Sequence, residues 1–188
     1  MPQLITIGRQ IRPSEKYKRL PQSKKNKAVT MFLRTNCVNL RNIFEESMLM
    51  QTSENNRYEL PESLARHLGI ELICVEDGYV KATMPVDKRT SRPCSPTDIL
   101  NGGATLALAE TVAGYGSLAI CGPDQNPCGI QVSANHIKMV PAGTYVEAVG
   151  RLVHRGRTSH VWNIDVTTPD GSLVSTARIV NLIINKRS

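Results

Sequence analysis

Two adjacent glycines and one carboxylate, two helical turns apart, are the residues of this sequence whose types and spacing best suit chemistry. Gly102 and Gly103 follow Asn101 and precede an apolar run of small residues, 104–120, in which Glu110 is the one charged residue. The first amides of a helix have no partner within it and can bind a polarised carbonyl oxygen. A carboxylate can serve as a base or a nucleophile. We therefore expect an amide clamp and a base facing the same bound group, although a glycine-rich turn before an ordinary amphipathic helix fits the pattern equally well.

The sequence around this segment predicts the elements that position it. The apolar run at 104–120 predicts one long helix that Gly122-Pro123 ends, and a loop at 86–98 leads into it. Alternating apolar residues and turn signals predict strands at 70–76, 79–84, 129–140, 145–154, 159–167 and 173–184. The expected fold class is α+β, with a curved antiparallel sheet of five to six strands wrapped around one long helix. Each glycine inside that helix costs up to about 1 kcal/mol, which close packing against the sheet offsets.

The basic character of the chain is concentrated at its N-terminus. Of the 188 residues, those at 1–47 include ten Lys or Arg and three acidic residues. The thirteen Lys or Arg and thirteen Asp or Glu of 48–188 cancel, so the formal charge of +7 belongs to the N-terminal segment. This distribution makes nucleic acid an unlikely partner of the folded domain. We expect 1–47 to be a basic extension, disordered or non-native, and 48–188 to be the catalytic domain.

Three interpretations of the N-terminal segment stay open. Residues 1–47 lack sustained hydrophobic periodicity, so they fit a basic arm for nucleic acid or a membrane, or an organellar transit peptide. The third interpretation, which we favour, is that translation begins at Met48 or Met50. Glu45 and Glu46 are encoded by purine-only codons, which resemble a bacterial ribosome-binding site just upstream of these methionines. N-terminal sequencing of the native protein separates the three, because a mature N-terminus near Met1 rules out the last.

The cysteines and the hydropathy pattern indicate the compartment. The five cysteines form an odd set without the paired spacing of a metal site: Cys37, Cys74, Cys94, Cys121 and Cys128. We therefore expect reduced thiols, no bound metal and a cytoplasmic location. No apolar stretch approaches the roughly 18 residues of a transmembrane helix, so no membrane partner is expected.

Four blocks of sequence, taken in order, resemble the hotdog-fold thioesterases. The blocks are 101–111, 129–138, 154–162 and 170–171, and the likeness extends over residues 60–185. Within that fold the chain is similar to the phenylacetate-degradation and 4-hydroxybenzoyl-CoA branch. It is most similar there to bacterial aryl-CoA enzymes of the enterobactin-proofreading and dihydroxynaphthoyl-CoA kind. The resemblance implies an acyl-CoA thioesterase that releases a carboxylic acid and free CoA.

The resemblance also implies roles for individual residues. Glu110 is expected to attack the thioester or to activate a water, and the Gly102 amide to polarise the thioester carbonyl beside Asn101. A basic turn and the strand before it are expected to bind the CoA phosphates, through His136, Lys138, His154, Arg155, Gly156, Arg157, Thr158 and Ser159. CoA is then part of the substrate, and no cofactor is expected. Family members are homodimers, often paired into tetramers, whose long helices meet at an interface that contains the active sites.

The sequence departs from the family at three positions. Asn101 stands where close relatives have His, and an amide donates a hydrogen bond but cannot carry charge or shuttle a proton. A Gln of the relatives is replaced by Ser95 or Thr97, and a helical Ser one turn past the carboxylate is replaced by Gly114. Glu110 and the Gly102 amide are thus present, whereas the polar side chains that accompany them in the relatives differ.

Two other functions were weighed against hydrolysis. The first is a non-catalytic acyl-CoA sensor, which Glu110 and the lack of a helix-turn-helix pattern in 1–47 argue against. Acyl-CoA binding without turnover, with salt-dependent DNA binding lost on deletion of the N-terminal segment, would favour it. The second, a hotdog dehydratase or hydratase, lacks an Asp/His pair placed for hydration. The remaining histidines, His67 and His160, are expected to be structural.

Overall fold

The computed structural model describes residues 4–7, 10–13, 58 and 60–186. The chain divides into two units, residues 1–39 and residues 40–188. In the first, strands β1 (Leu4–Ile7) and β2 (Gln10–Pro13) pair antiparallel. The predicted boundary at residues 47 and 48, and the alternative start sites, lie outside the described residues.

The second unit is built on one antiparallel sheet of six strands. Its spatial order is β3-β4-β8-β9-β10-β7. The strands are β3 (Glu71–Glu76), β4 (Tyr79–Val86), β7 (Gln125–His136), β8 (Thr144–Arg155), β9 (Ser159–Thr167) and β10 (Leu173–Asn185). A short helix, α1 (Leu64–His67), precedes the sheet, and β5 (Ser91–Arg92) pairs with β6 (Ile99–Leu100) as a separate ribbon. Among the described strands, β7 pairs with β10 alone, so it forms one edge of the sheet.

One long helix, α2 (Gly102–Leu118), packs on the inner face of this sheet. Its glycines set the distance between the two layers. A Cβ on Gly116 would lie 2.5 Å from the Trp162 ring, and a Cβ on Gly150 of β8 would lie 2.6 Å from Val112. The buried core fills the space between helix and sheet, and its largest members are Trp162, Leu72, Met84, Leu108, Ile164 and Ile179. Gly116 and Gly150 therefore allow the close approach that was expected to offset the cost of a helical glycine. Gly114 departs from that expectation, because a Cβ there would meet none of the described atoms within 4 Å.

The α+β class and the sheet wrapped around one long helix are confirmed, with different boundaries. Helix α2 begins at Gly102 rather than at residue 104, because Asn101 caps it. Strand β7 was predicted at 129–140 but spans Gln125–His136. It ends there because the amides of Ile137 and Lys138 both donate to the Val174 carbonyl, which takes the chain out of the regular ladder. Within the described residues, no helix has the length and hydropathy to cross a membrane.

Candidate active site

The N-terminus of α2 presents backbone amides that have no acceptor among the described residues, next to a side-chain cap. Asn101 Oδ1 accepts a hydrogen bond from the Gly103 amide at 2.7 Å, which is the geometry of an N-cap. The Asn101 amide in turn donates to the Thr90 carbonyl at 2.9 Å, so the cap is anchored to the preceding loop. Within the described residues no group accepts from the Gly102 amide. The cap thus occupies the Gly103 amide, and the Gly102 amide is among those left available to a carbonyl oxygen.

His136 lies beside Gly102. A Cβ on Gly102 would be 2.8 Å from His136 Nε2, so the glycine is what allows the imidazole to reach the helix N-terminus. Beside them is a pocket of about 260 Å³, lined by Arg92, Ile99, Leu100, Gly102, Thr105, His136, Ile137, Lys138, Met139 and Val174. Its buried lining residues Ile99, Leu100 and Val174 are apolar, and the cationic Arg92 and Lys138 are exposed. A larger pocket of about 700 Å³ lies on the other face of the sheet, around the Lys81–Glu147 ion pair, and contains none of the predicted site residues.

Glu110 is exposed on α2 and lies against the edge strand. A Cβ on Gly129 of β7 would be 2.7 Å from Glu110 Oε1 and 3.8 Å from Asn181 Oδ1. Gly129 faces Asn181 across the β7–β10 ladder, at a register shift between Val180 and Asn181. The missing side chain of Gly129 therefore makes the space that the carboxylate occupies. Gly129 fell within a family-like block but had no assigned role, although a glycine inside a strand often marks a close approach.

Asn181 belongs to a buried polar network that was not predicted. Its Nδ2 donates to the Ala113 carbonyl at 3.0 Å and to Ser117 Oγ at 2.9 Å. Ser117 Oγ also accepts from Trp162 Nε1 at 2.8 Å. Asn181 is 1% exposed. The network ties β9 and β10 to the helix turns that follow Glu110, and the one sequence signal for it is a polar residue within the apolar run 179–184.

The clamp and the base of one chain do not face the same bound group. Gly102 and Glu110 are eight residues apart on a continuous helix, which places their backbones about 12 Å apart along its axis. A thioester carbonyl is only a few ångströms long, so it cannot contact both. The expectation that one short segment supplies clamp and base together therefore fails within a single chain.

The residues predicted to bind CoA form two groups at opposite ends of α2. His136 and Lys138 lie at its N-terminal end, and Lys138 is close enough to Asp170 to contribute to its lowered pKa. Hydrogen bonds from Thr168 and Ser172 are the larger causes of that shift. The other group is the turn between β8 and β9, which holds His154, Arg155, Gly156, Arg157, Thr158 and Ser159. The two ends of the 17-residue helix are about 24 Å apart.

Some residues of the β8–β9 turn form hydrogen bonds within the chain and stabilise the fold. Arg155 Nη2 donates to the Ile120 carbonyl at 2.8 Å and its Nη1 to Asp77 Oδ1 at 3.3 Å. The turn is closed by the Gly156 amide, which donates to the Ser159 carbonyl at 2.8 Å. Arg157 is exposed and forms no ion pair within the part of the chain that the structure describes. Of the two arginines, Arg157 is therefore the one available to an anionic ligand.

A buried histidine lies beneath this turn. His160 is 3% exposed, and its Nδ1 has no hydrogen-bond partner. Burial, and then the positive charge of Arg155 and the neighbouring His154, lower the pKa of the imidazole. Its side chain points to the same inner face as Trp162, in agreement with the structural role expected for it. The described residues contain no group of three or more His, Cys, Asp or Glu that could hold a metal ion.

Comparison with known proteins identifies the family. A model of the thioesterase superfamily matches residues 97–175. The proofreading thioesterase EntH of Cronobacter turicensis is 35% identical over 122 residues, which cover 65% of this chain and 86% of that protein. A crystal structure of a thioesterase from Haemophilus influenzae is 35% identical, with a TM-score of 0.61, over 68% of this chain and 86% of the other. The chain belongs to the thioesterase superfamily.

Membership of the thioesterase superfamily confirms the hotdog fold and the prediction of an enzyme that hydrolyses thioesters. A further member of known structure, a Streptococcus mutans protein, was crystallised with acetyl-CoA bound. It is 25% identical, with a TM-score of 0.55, over 62% of this chain and 90% of the other. The aryl-CoA branch, the individual site residues and the oligomeric state stay predictions for this superfamily member.

Proposed function

We propose that the chain is an acyl-CoA thioesterase in which Glu110 is the base or nucleophile and the Gly102 amide polarises the thioester carbonyl. The observation that carries this proposal is the position of Glu110, whose carboxylate fills the space that Gly129 leaves open. A carboxylate in such a cleft, next to an exposed strand edge, is accessible to a substrate. The choice of a CoA thioester is supported by the acetyl-CoA bound to the Streptococcus mutans relative.

The active site is shared between two copies of the chain in this proposal. The separation of Gly102 from Glu110 along α2 requires a second copy to complete each site. The unpaired edge β7 supplies an interface, because Ile130 and Val132 on it are exposed, at 59% and 38%. Two copies related by a two-fold axis perpendicular to β7 and α2, passing between the two β7 edges, place opposite ends of their α2 helices side by side. Gly102 of one subunit then approaches Glu110 of the other.

The same arrangement reunites the two groups of CoA-binding residues. In an antiparallel pair, the β8–β9 turn at the C-terminal end of one α2 lies near the N-terminal end of the partner's. His136 and Lys138 of one subunit and Arg157 of the other then surround one ligand, which suits the several phosphates of CoA. Further pairing of such dimers into a tetramer stays a prediction.

The catalytic assignment is tested by substitution of the carboxylate. Aryl- and medium-chain acyl-CoAs are assayed with wild type, Glu110→Gln and Glu110→Ala, and free CoA is followed with a thiol reagent. Loss of a general base or nucleophile is expected to lower kcat by about 100-fold or more. Glu62→Gln, at an exposed carboxylate just before the N-cap of α1, is the matched control. Undiminished turnover by both Glu110 variants excludes the role.

The shared site is tested by mixing two inactive variants. Glu110→Ala lacks the base, and Gly102→Val blocks the amide with a side chain that collides with His136. In a mixed dimer, one of the two sites contains an intact Glu110 and an intact Gly102 from different subunits. Co-refolding at equal amounts is therefore expected to restore roughly a quarter of wild-type activity, since half of the dimers are mixed. No recovery in verified mixed dimers would show that each site uses a single chain.

A further inference from the structure

We propose that Asn181 holds the hydrolytic water together with Glu110, so that Glu110 acts as a general base on that water. This inference rests on the proposed function and narrows its mechanism. Asn181 lies on β10, more than sixty residues along the sequence from the helix that carries Glu110.

The hydrogen-bond partners of the Asn181 side-chain amide fix its orientation. Its nitrogen lies 3.0 Å from the Ala113 carbonyl oxygen, which can only accept a hydrogen bond. The nitrogen must therefore face the helix, where Ser117 Oγ takes its second hydrogen at 2.9 Å. Oδ1 consequently points the other way, toward Gly129. None of the described residues donates a hydrogen bond to Oδ1.

Asn181 Oδ1 and Glu110 Oε1 face the same gap. They lie 3.8 Å and 2.7 Å from the point that a Gly129 Cβ would occupy. Both atoms are hydrogen-bond acceptors, so a group between them must supply two hydrogens. A water molecule does so by donating one hydrogen to each oxygen, which leaves its lone pairs directed out of the cleft toward a bound carbonyl.

The resulting step is a balanced hydrolysis. The water oxygen bonds to the thioester carbonyl carbon while one of its protons passes to Glu110. The tetrahedral intermediate then breaks its carbon–sulfur bond, and the departing thiolate takes the proton back from Glu110. The products are the carboxylic acid and free CoA, and the enzyme is regenerated. Asn181 keeps its hydrogen bond to the attacking water and so acts as a positioning residue.

The test compares two variants of the same polar network. Asn181→Leu has a similar size but lacks the oxygen, whereas Trp162→Phe loosens the network at Ser117 and leaves Asn181 Oδ1 in place. With an acyl-CoA that wild type hydrolyses, we expect Asn181→Leu to lower kcat by about 10- to 100-fold with KM changed less than about two-fold. Trp162→Phe is expected to lower the thermal midpoint and to keep kcat near wild type. Asn181→Ser, too short to reach the gap, replaces Asn181→Leu if that variant does not fold.

Two results would overturn the inference. One is full kcat in the Asn181 variants, and the other is an equal loss of kcat in Trp162→Phe. Heavy oxygen in the Glu110 carboxylate after a single turnover in heavy-oxygen water would also overturn it, because only a mixed anhydride attacked at its enzyme carbonyl carries the label there, whereas a general base sends the label to the product acid alone. An inactive Glu110→Gln beside a fully active Asn181→Leu would refute this inference alone. An active Glu110→Gln would refute the proposed function.

Discussion

The substitution Gly129→Ala perturbs the proposed base without changing any polar group. The added Cβ lies 2.7 Å from Glu110 Oε1, whereas ordinary carbon–oxygen contacts are about 3.3–3.6 Å. The carboxylate must therefore withdraw by about 0.6–0.9 Å. A displacement of this size at a reacting group is expected to lower kcat by about 10- to 100-fold.

The same substitution is expected to leave stability intact. Gly129 is exposed, lies within the β7–β10 ladder and has no left-handed φ, so alanine adopts its backbone without strain. Fewer conformations of the unfolded chain raise the free energy of unfolding by about 0.4–1 kcal/mol. Activity and stability are thus predicted to change in opposite directions, which separates a displaced base from a damaged fold.

The assay is steady-state hydrolysis of an acyl-CoA together with thermal unfolding. Gly122→Ala is the matched control, because its Cβ would meet Gln125 at an ordinary 3.4 Å. It is expected to retain wild-type kcat. In a Glu110→Gln background, Gly129→Ala should cause no further loss, since it acts through Glu110. Wild-type kcat in Gly129→Ala, or a loss that persists in the Glu110→Gln background, would refute the reasoning.

Three further predictions concern the β8–β9 turn and the histidine beneath it. Arg157→Ala is expected to raise KM for CoA thioesters, but not for thioesters of a short thiol, at an unchanged thermal midpoint, because Arg157 forms no ion pair with the residues that the structure describes. Arg155→Ala should also lower the thermal midpoint, since it breaks the contacts with Asp77 and the Ile120 carbonyl. The lowered pKa of His160 means that the unfolded chain binds a proton which the folded chain excludes. Stability should therefore be complete above the ordinary imidazole pKa of about 6.5 and decline as the pH falls through the folded pKa. His160→Leu should flatten this dependence, and a wild-type midpoint that does not fall in acid would contradict it.

The sequence predicted the parts of this site that depend on local pattern. The helix, its glycine start and the isolated Glu110 all follow from composition and spacing over a few residues. The capping by Asn101 was not predicted, although Asn is a favoured N-cap residue, because the resemblance implies a role for Asn101 at the substrate carbonyl.

The other relations in the site depend on which strands pair and in which register, and the spacing of residues along the chain does not encode that. Asn181 faces Gly129 only because the β7–β10 register shifts at that point. A shift of one residue would turn Asn181 to the other face of the sheet. Likewise, the order of residues along the chain cannot tell that the β8–β9 turn and His136 lie at opposite ends of α2. These relations are fixed by long-range strand pairing.

The contact between Gly116 and the Trp162 ring makes the tryptophan fluorescence sensitive to the packing of helix against sheet. Trp162 is the one tryptophan of the chain, is fully buried, and donates its indole hydrogen to Ser117 of α2. Its fluorescence therefore reports a single event, the separation of the long helix from the sheet. Native protein should emit at short wavelength, and any opening between helix and sheet should shift the emission to the red without interference from another indole. The protein thus carries its own spectroscopic label at the contact that holds the helix against the sheet.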